Sequence, residues 1–315
     1  MSLTRLAELL ATPARGWGYD EGGRLYTAAA PPRVMALPAR LRVVSWNIAY
    51  GYGPGSEAHD YVPRPRSHFQ ARLGRMAATL AGLDADLVLL QEVDFRARRS
   101  HGEDQLTFLQ GATGLPYAAA AVGWSVRYVP YPAWPPSRHV GPVVSGGAVL
   151  SRFPVLGPQQ VHHHPPPAAN PGWYNAFYLR RYTQTVTLDV GGGRRLVVLN
   201  SHLEDADAAA RAGEAAFVAA AARSALAAGR LLLVGGDLNG GPADPALRPL
   251  SEVTGLAAAF PEGAPPTFPS PTPRVRLDHL YAGPGLRVTI AMAALGESPA
   301  IGSVFDSKRG SSFAA

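Results

Sequence analysis

A carboxylate and an amide follow a short apolar run in the second half of the chain. Residues 231–234 have the composition of a strand buried on both faces, and Gly235 and Gly236 lead from this run to Asp237 and Asn239. A carboxylate at the end of a buried strand costs free energy unless a partner compensates its lost hydration. A metal ion, a phosphate group or a catalytic water would supply that partner. We therefore interpret this stretch as the centre of an active site.

Polar residues also follow or interrupt four other apolar stretches. They are Asn47 after residues 41–46, Glu92 after residues 87–91, Asn200 and His202 after residues 195–199, and Asp278 within residues 275–281. Because side chains alternate along a strand, Asn200 and His202 point to the same side. A single Glu suits Mg²⁺ or Mn²⁺, because such ions take one or two carboxylates and keep water ligands for the substrate. Each residue alone also fits a turn or a solvated strand end, but the set together indicates a catalytic pocket.

Two similar strand–helix–strand units carry most of these polar residues. The first joins the strand at Val43 to the strand at Leu87 through a helix over residues 68–83. The second joins the strand at Val197 to residues 231–234 through a helix over residues 206–228. Buried strands at the centres of two packed sheets would bring their polar ends to one edge. We predict a lead-in over residues 1–39 and a single α/β sandwich domain over residues 40–315.

Two segments lack a clear helical or strand pattern. Residues 123–140 are rich in Trp, Tyr and Pro, and we expect a long ordered loop there because linkers rarely carry so many aromatic residues. Residues 161–173 contain His162, His163 and His164. Adjacent residues cannot easily all face one metal ion, so we interpret the triplet as part of a flexible polar loop. Aromatic residues of both segments could stack on bases, touch a lipid surface or cover the core.

Charge and composition exclude several classes of protein. The chain has 315 residues, a net charge of +6 and no Cys, which excludes disulfides, thiolate catalysis and Cys-based zinc sites. The positive charge is compatible with an anionic partner, although almost all of it is Arg, which is typical of a GC-rich genome. The apolar stretch over residues 6–11 is too short for a signal peptide or a membrane span. We expect a cytoplasmic protein with no transmembrane segment and no stable protein partner.

The polar strand ends, taken in order, resemble the motifs of a known superfamily. The motifs are Trp46-Asn47, Gln91-Glu92, Asn200-Ser-His202-Leu203, Gly236-Asp237-Leu-Asn239 and Arg276-Leu-Asp278-His. Together they resemble the endonuclease/exonuclease/phosphatase superfamily of DNase-I-like, metal-dependent phosphoesterases. The resemblance covers residues 41–282, and the ordered set is far more specific than any single motif. It implies a four-layered α/β sandwich, in which two packed mixed β-sheets are flanked by helices.

The same resemblance implies a role for each matching residue. Asn47 and Glu92 would hold the divalent metal, Mg²⁺ or Mn²⁺. Asp237 would orient or activate the attacking water, and Asn239 and His202 would contact the phosphate. Asp278 would support a final His. We also expect Asn200 and Arg181 to be substrate-binding; Arg180 and Arg181 lie on opposite strand faces, so at most one of the two should reach the site.

The end of the chain departs from the family pattern. The family normally closes with Ser-Asp-His followed by a hydrophobic strand, whereas this chain has no His after His279. One alignment places Asp306-Ser307 where Asp-His is expected and another places residues 301–303 there, and we expect neither to restore the His or the closing strand. The C-terminus would then be altered or truncated relative to an active ancestor. Asp278 would lack its usual partner.

These observations predict a divalent-metal-dependent phosphoesterase that hydrolyses a phosphodiester with a metal-assisted water. No Ser or Cys lies beside a suitable base, so we predict no covalent intermediate. The substrate would be nucleic acid, a phospholipid headgroup or a sugar phosphate. The alternative is a catalytically impaired protein of the same fold that binds phosphorylated ligands, because the usual C-terminal His is absent.

Overall fold

A computed structural model of the chain describes most of its residues. The described ranges are 24–27, 40–53, 62–132, 134–157, 159–177, 179–260, 263–269, 272–293 and 300–306. Most of the predicted lead-in over residues 1–39 and the Ser-rich end over residues 307–315 lie outside these ranges. Among the residues described, no helix has both the length and the apolar character needed to cross a lipid bilayer.

The described residues form thirteen strands and five α-helices. The strands are β1 (Arg24–Thr27), β2 (Arg40–Asn47), β3 (Leu87–Ala97), β4 (Tyr117–Val129), β5 (Gly141–Ser151), β6 (Gln160–His163), β7 (Tyr182–Asp189), β8 (Arg195–His202), β9 (Leu231–Asp237), β10 (Ala257–Ala258), β11 (Asp278–Ala282), β12 (Leu286–Ala293) and β13 (Ala300–Asp306). The α-helices are α1 (Arg66–Gly82), α2 (Gln105–Thr113), α3 (Gly172–Asn175), α4 (Ala208–Ala227) and α5 (Arg248–Ser251). Short 3₁₀ helices occur at Ala49–Gly51, Pro136–Arg138 and Pro245–Leu247.

The strands form two mixed sheets. The seven-stranded sheet has the order β1-β4-β5-β3-β2-β13-β12, and the six-stranded sheet has the order β10-β11-β9-β8-β7-β6. Within each sheet one pair is parallel, β2 with β3 and β8 with β9. These two pairs are the ends of the strand–helix–strand units predicted from the sequence, since α1 connects β2 to β3 and α4 connects β8 to β9. Because both strands of a parallel pair end at the same edge, Asn47 and Gln91 are register neighbours, as are His202 and Asp237.

The core lies in three apolar layers. Between the sheets, side chains of the seven-stranded sheet such as Leu89 and Val149 pack with Val186 and Leu233 of the six-stranded sheet. The outer face of the seven-stranded sheet is covered by α1 and α2, whose apolar stripes contribute residues such as Leu73. The outer face of the six-stranded sheet is covered by α4. The architecture is therefore the four-layered α/β sandwich that the motifs imply.

The prediction of a long loop over residues 123–140 is wrong for the first part of this segment. The strand β4 continues to Val129, and only residues 130–140 form the connection to β5. Trp124 lies in the strand, is 8% exposed, and donates a hydrogen bond from Nε1 to the Phe177 carbonyl at 2.9 Å. Trp134 in the connection is 79% exposed. Strand pairing with β5 supplies the backbone hydrogen bonds here, and pairing between distant strands leaves no local sequence signal.

The prediction of a flexible loop at the His triplet is also wrong. His162 and His163 belong to β6, which pairs with β7. The His162 ring stacks on Phe217 of α4 with a centroid distance of 3.7 Å, and His164 is buried with Nε2 3.0 Å from Thr183 Oγ1. Burial lowers the pKa of His164 to about 3. The three imidazoles contribute to packing at a sheet edge.

The closing strand that the sequence did not predict is present as β13. It pairs antiparallel with β2 on one side and with β12 on the other. Two partner strands provide its backbone hydrogen bonds, so Gly302 and Ser303 in its middle did not prevent strand formation. Phe305 pairs with Arg40 at the start of β2, whereas Asn47 ends that strand, about 23 Å away along β2. Asp306 therefore lies at the far end of the sheet from the predicted site.

Candidate active site

Four side chains of the six-stranded sheet form one row at its edge. In register, Tyr182 of β7 is opposite His202 of β8, His202 is beside Asp237 of β9, and Asp237 is opposite Asp278 of β11. Directly paired residues in adjacent strands present their side chains on the same face. This face is the one that meets the other sheet, because His202 Nε2 lies 3.9 Å from Glu92 Oε1 of β3. Three of the four residues were predicted to be catalytic.

Glu92 reaches the row because β3 bulges at this point. Leu90 pairs with Ala148 and Val93 pairs with Gly146, so two residues of β3 oppose the single Gly147 of β5. Glu92 has a left-handed backbone conformation with φ of 54°. A bulge inserts an extra residue and redirects a side chain, and bulges occur often at active sites. The carboxylate of Glu92 consequently faces the second sheet.

Asn47 joins the two sheets at the centre of the site. Its Nδ2 donates to Glu92 Oε1 at 3.0 Å and to Asp237 Oδ2 at 2.9 Å. Its Oδ1 accepts a hydrogen bond from the backbone N–H of Ala49 at 3.0 Å. One amide thus holds two carboxylates that lie 145 residues apart in the chain. This convergence of three strands is the geometry that the polar strand ends predicted.

The turn after Asn47 is anchored by residues that the sequence did not single out. Tyr50 has a left-handed backbone with φ of 52°, and its carbonyl accepts a hydrogen bond from Gln105 Nε2 at 2.7 Å. The Arg99 guanidinium lies 3.5 Å above the centre of the Tyr50 ring, in cation–π geometry. Arg99 is also paired with Asp94 through two hydrogen bonds of 3.0 and 2.7 Å. These contacts fix the turn that orients the Asn47 amide.

Asp237 is a buried carboxylate whose ionisation is opposed by its surroundings. Burial is the largest cause that raises its pKa, to about 6, and the nearby Glu92 charge acts in the same direction. Hydrogen bonds from Asn47 and from the Asn239 backbone N–H oppose this increase, the second with a length of 3.0 Å to Oδ1. Asp237 therefore exchanges its proton near neutral pH, as a base in water chemistry needs.

Asn239 lies in a tight turn directly after β9. Its backbone is left-handed, with φ of 50°, and its Nδ2 donates to the Leu203 carbonyl at 2.7 Å. Gly236 within β9 allows this strand to lie close to β8, because a Cβ at that position would lie 1.9 Å from the Ser201 carbonyl oxygen. The turn ties the end of β9 to the end of β8. The Asn239 amide is therefore held beside the row.

Arg181 reaches the site and contacts His202. Its Nη1 donates to His202 Nε2 at 2.8 Å, its Nη2 donates to Asp205 Oδ1 at 2.6 Å, and its Nε lies 3.4 Å from Glu204 Oε2. Its neighbour Arg180 is exposed. Of this pair, only Arg181 contacts a residue of the row, and its role as a substrate-binding residue stays a prediction. Because an Arg can only donate, His202 Nε2 is an unprotonated acceptor in this arrangement.

The structure does not place Asn200 where it can contact a substrate. Asn200 does point to the same side as His202, but it is 0% exposed and lies one layer deeper between the sheets. Its Oδ1 accepts from Gln91 Nε2 at 2.7 Å, and its Nδ2 donates to the Leu90 and Ala148 carbonyls and to Gln184 Oε1. Every polar atom of its amide is thus used inside the protein. We correct its assignment from a substrate-binding residue to a support beneath the site.

Asp278 ends the row as a buried carboxyl group. Burial first, and then the Asp237 charge, raise its pKa well above the ordinary value, so the group is stable in its neutral form. Its Oδ1 has no hydrogen-bond partner among the residues that the structure describes. His279 faces the opposite side and its Nε2 donates to the Gly240 carbonyl at 2.8 Å, which agrees with the structural role predicted for it.

The donor set fits a hard divalent cation. Within the described part of the chain, no three His, Asp or Glu side chains converge as a metal-binding cluster. A Mg²⁺-type ion does not require such a cluster, since it is commonly held by one or two carboxylates and completed by water and substrate. Glu92 and the Asn47 amide would supply oxygen ligands, with Asp237 beside them. Asn47 would present Oδ1 after its amide rotates away from Ala49.

Sequence reasoning missed Tyr182, the fourth member of the row. A Tyr at the start of an alternating strand is ordinarily assigned to the core, and nothing in its local sequence marks it. The signal appears only when β7 is aligned with β8, which puts Tyr182 directly opposite His202.

Comparison with known proteins agrees with this fold. The model of the Endonuclease/Exonuclease/phosphatase family matches residues 44–291. No curated protein sequence matches the chain. Among solved structures, an endonuclease/exonuclease/phosphatase from Beutenbergia cavernae DSM 12333 is 24% identical, with a TM-score of 0.62 over 85% of this chain and 72% of that one.

Two further structures share the fold at lower identity. TDP2 from Caenorhabditis elegans is 19% identical, with a TM-score of 0.57 over 85% of this chain and 74% of that one. A mannosyl-6-phosphatase from Bacteroides thetaiotaomicron VPI-5482 is 14% identical, with a TM-score of 0.58 over 84% of this chain and 98% of that one. The family match covers most of the chain, including the whole row of polar side chains, and the chain belongs to the endonuclease/exonuclease/phosphatase family.

Proposed function

We propose that the protein is a divalent-metal-dependent phosphoesterase that hydrolyses phosphodiesters with water. The observation that carries this proposal is the Asn47 amide, whose Nδ2 lies 3.0 Å from Glu92 Oε1 and 2.9 Å from Asp237 Oδ2. These distances support a site in which the Glu92 carboxylate can bind a metal ion and the Asp237 carboxylate can bind a water molecule. We further propose that residues 40–315 act as one catalytic domain.

Glu92 and Asn47 would hold the ion, Mg²⁺ or Mn²⁺. The bound ion would neutralise phosphate charge and polarise the phosphorus centre. The bulge in β3 holds Glu92 toward the second sheet, and the anchored turn holds Asn47. Glu92 is therefore positioned before an ion arrives, and Asn47 needs only to rotate its amide, which reduces the cost of assembling the site.

Asp237 would orient the attacking water and accept its proton. A carboxylate with a pKa of about 6 is ionised at neutral pH and is still a stronger base than an ordinary Asp. The Asn239 backbone N–H, 3.0 Å from Oδ1, fixes the carboxylate plane. This leaves no need for a covalent intermediate.

Arg181 and Asn239 would bind the phosphate oxygens, and His202 would contact the phosphate as a donor once its Nε2 carries a proton. Arg181 already donates to His202 Nε2 at 2.8 Å, so a phosphate oxygen at this point would meet a cationic donor. Asp205 and Glu204 hold the guanidinium from the other side. The substrate class is open to nucleic acid, a phospholipid headgroup or a sugar phosphate, and the name of the Bacteroides relative supports including the last of these.

Hydrolysis of bis-p-nitrophenyl phosphate with Mg²⁺ or Mn²⁺ tests the proposal, with p-nitrophenyl phosphate as the monoester comparison. We expect metal-dependent release of p-nitrophenol by the wild type and its loss in Glu92→Ala. Glu252→Ala is the matched control, because Glu252 is exposed and outside the row. Activity that persists unchanged in Glu92→Ala would contradict the assignment of the metal ligand.

A second candidate function is binding of phosphorylated ligands without turnover. The observation in its favour is Asp278 Oδ1, which has no hydrogen-bond partner among the residues described, in a chain without the usual C-terminal His. Calorimetric titration with Mg²⁺ and then with a phosphodiester distinguishes the two functions. Binding of both without product release at any metal or pH would favour the binding protein.

A further inference from the structure

The hydroxyl of Tyr182 is buried without a hydrogen-bond partner. The residue is 1% exposed, and its Oη is unpaired within the part of the chain that the structure describes. Leaving a buried hydroxyl unpaired destabilises the folded protein relative to a paired one. A Phe would fill the same space without this cost, so the hydroxyl calls for a functional explanation.

The position of the hydroxyl is defined by Gly147. A Cβ at Gly147 would lie 1.9 Å from Tyr182 Oη, so only a residue without a side chain leaves room for the phenol. Gly147 is the residue of β5 that faces the bulge of β3 between Leu90 and Val93. The phenol oxygen therefore lies between the sheets, at the base of the bulge that carries Glu92.

The electrostatic surroundings keep this hydroxyl a proton donor. Burial first, and then the charges of Glu92 and Asp237, raise the pKa of the Tyr182 phenol well above its ordinary value. The neutral Tyr182 hydroxyl has the Glu92 and Asp237 carboxylates in its surroundings, but it donates a hydrogen bond to neither of them. The Tyr182 ring also lies edge-on to the His202 ring, with a centroid distance of 6.3 Å.

Metal binding would change the hydrogen-bond donors available to the Glu92 carboxylate. In the structure, Asn47 Nδ2 donates to Glu92 Oε1 at 3.0 Å. If Asn47 turns its oxygen toward an ion, that N–H leaves Glu92, and the carboxylate needs another donor. Carboxylate ligands of metals are commonly held by such supporting hydrogen bonds, whose loss weakens metal affinity about 10- to 100-fold.

We propose that Tyr182 is a positioning residue for Glu92, whose hydroxyl donates to the Glu92 carboxylate once Asn47 turns to the metal. The inference rests on the proposed metal site. It accounts for a buried phenol without a hydrogen-bond partner among the described residues, for the glycine at position 147, and for the place of Tyr182 in one row with His202, Asp237 and Asp278.

Tyr182→Phe tests the inference through two measurements that do not need catalysis. In metal-free protein, thermal unfolding should show no loss of stability, because the hydroxyl has no partner to lose. Calorimetric titration with Mn²⁺ should show affinity reduced at least about tenfold. Tyr281→Phe is the matched control, because Tyr281 is a buried Tyr on the opposite face of the same sheet and should leave Mn²⁺ affinity unchanged.

The outcomes separate this inference from the proposed function. Wild-type protein that binds Mn²⁺ and a Tyr182→Phe variant that binds it equally well would overturn the positioning role alone. A variant that loses metal-free stability with Mn²⁺ affinity intact would also overturn it, since the hydroxyl would then be structural. Wild-type protein that binds no Mn²⁺ would overturn both the metal site and the inference that rests on it.

Discussion

Replacing Asp237 with Asn should remove a loss of stability that the metal-free wild type shows as the pH rises. The pKa of Asp237 is raised from its ordinary 3.8 to about 6, chiefly by burial. The folded state therefore holds this proton more tightly than the unfolded chain does. The free energy of unfolding is greatest at pH values below the pKa of Asp237 in the unfolded chain. It decreases as the pH rises from about 4 to about 6, because the unfolded chain releases this proton at a lower pH than the folded protein does. Asn cannot ionise, so the variant lacks this decline.

The magnitude follows from the difference between the two pKa values. A difference of about 2, at about 1.4 kcal/mol for each pKa unit, gives up to about 3 kcal/mol. Asn keeps an oxygen that can accept from the Asn239 N–H, but its NH₂ group would face Asn47 Nδ2. This unfavourable contact between two NH₂ groups changes the free energy of unfolding by the same amount at every pH. The pH dependence of the stability difference, rather than its absolute value, therefore reports the buried charge.

Urea unfolding of both proteins in EDTA, between about pH 4 and about pH 8, measures this dependence. We expect the stability difference to move in favour of Asp237→Asn by up to about 3 kcal/mol across that range. Adding Mn²⁺ should stabilise the wild type more than the variant, since the ion compensates the carboxylate. A stability difference that is independent of pH would refute the reasoning, because burial would then impose no penalty on the charge.

Two other substitutions test the supports of the site. Asn200→Ala should lower the free energy of unfolding by about 3 kcal/mol, because it leaves buried groups unpaired. The affinity for phosphate, measured by calorimetric titration, should stay unchanged. Reduced phosphate affinity with intact stability would restore Asn200 as a substrate contact. Gly236→Ala should cost at least about 3 kcal/mol in urea unfolding, because its Cβ would lie 1.9 Å from the Ser201 carbonyl, whereas Gly213→Ala in open space on α4 should gain about 0.5–1 kcal/mol. Equal effects of the two glycine substitutions would contradict the steric argument.

Much of the site could be predicted from local sequence. Apolar runs that end in polar residues identified the ends of β2, β3, β8 and β9, and thereby Asn47, Glu92, His202 and Asp237. Of the two helices between parallel strands, α1 followed from the helical spacing of its apolar residues and α4 from its Ala-rich composition. These features are local, since the period of the side chains and the cost of a buried carboxylate are set by a few neighbouring residues.

The tertiary structure was needed to tell how deeply each polar side chain is buried within the site. Asn200 and His202 are two residues apart on one face, and the sequence treats them alike. Two residues of strand correspond to about 7 Å, and that distance puts His202 at the edge of the sheet and Asn200 in its interior. Only the position of the facing sheet decides which of two equivalent side chains can meet a substrate.

The sequence by itself determined the family, the strand ends and most of the polar residues that they carry. Tertiary structure decided that Tyr182 belongs to the row, that His164 is buried and that β13 lies between β2 and β12 in the seven-stranded sheet. Each of these depends on hydrogen bonds between strands far apart in the chain. The free energy of such pairing belongs to both strands together, so neither segment alone contains the signal.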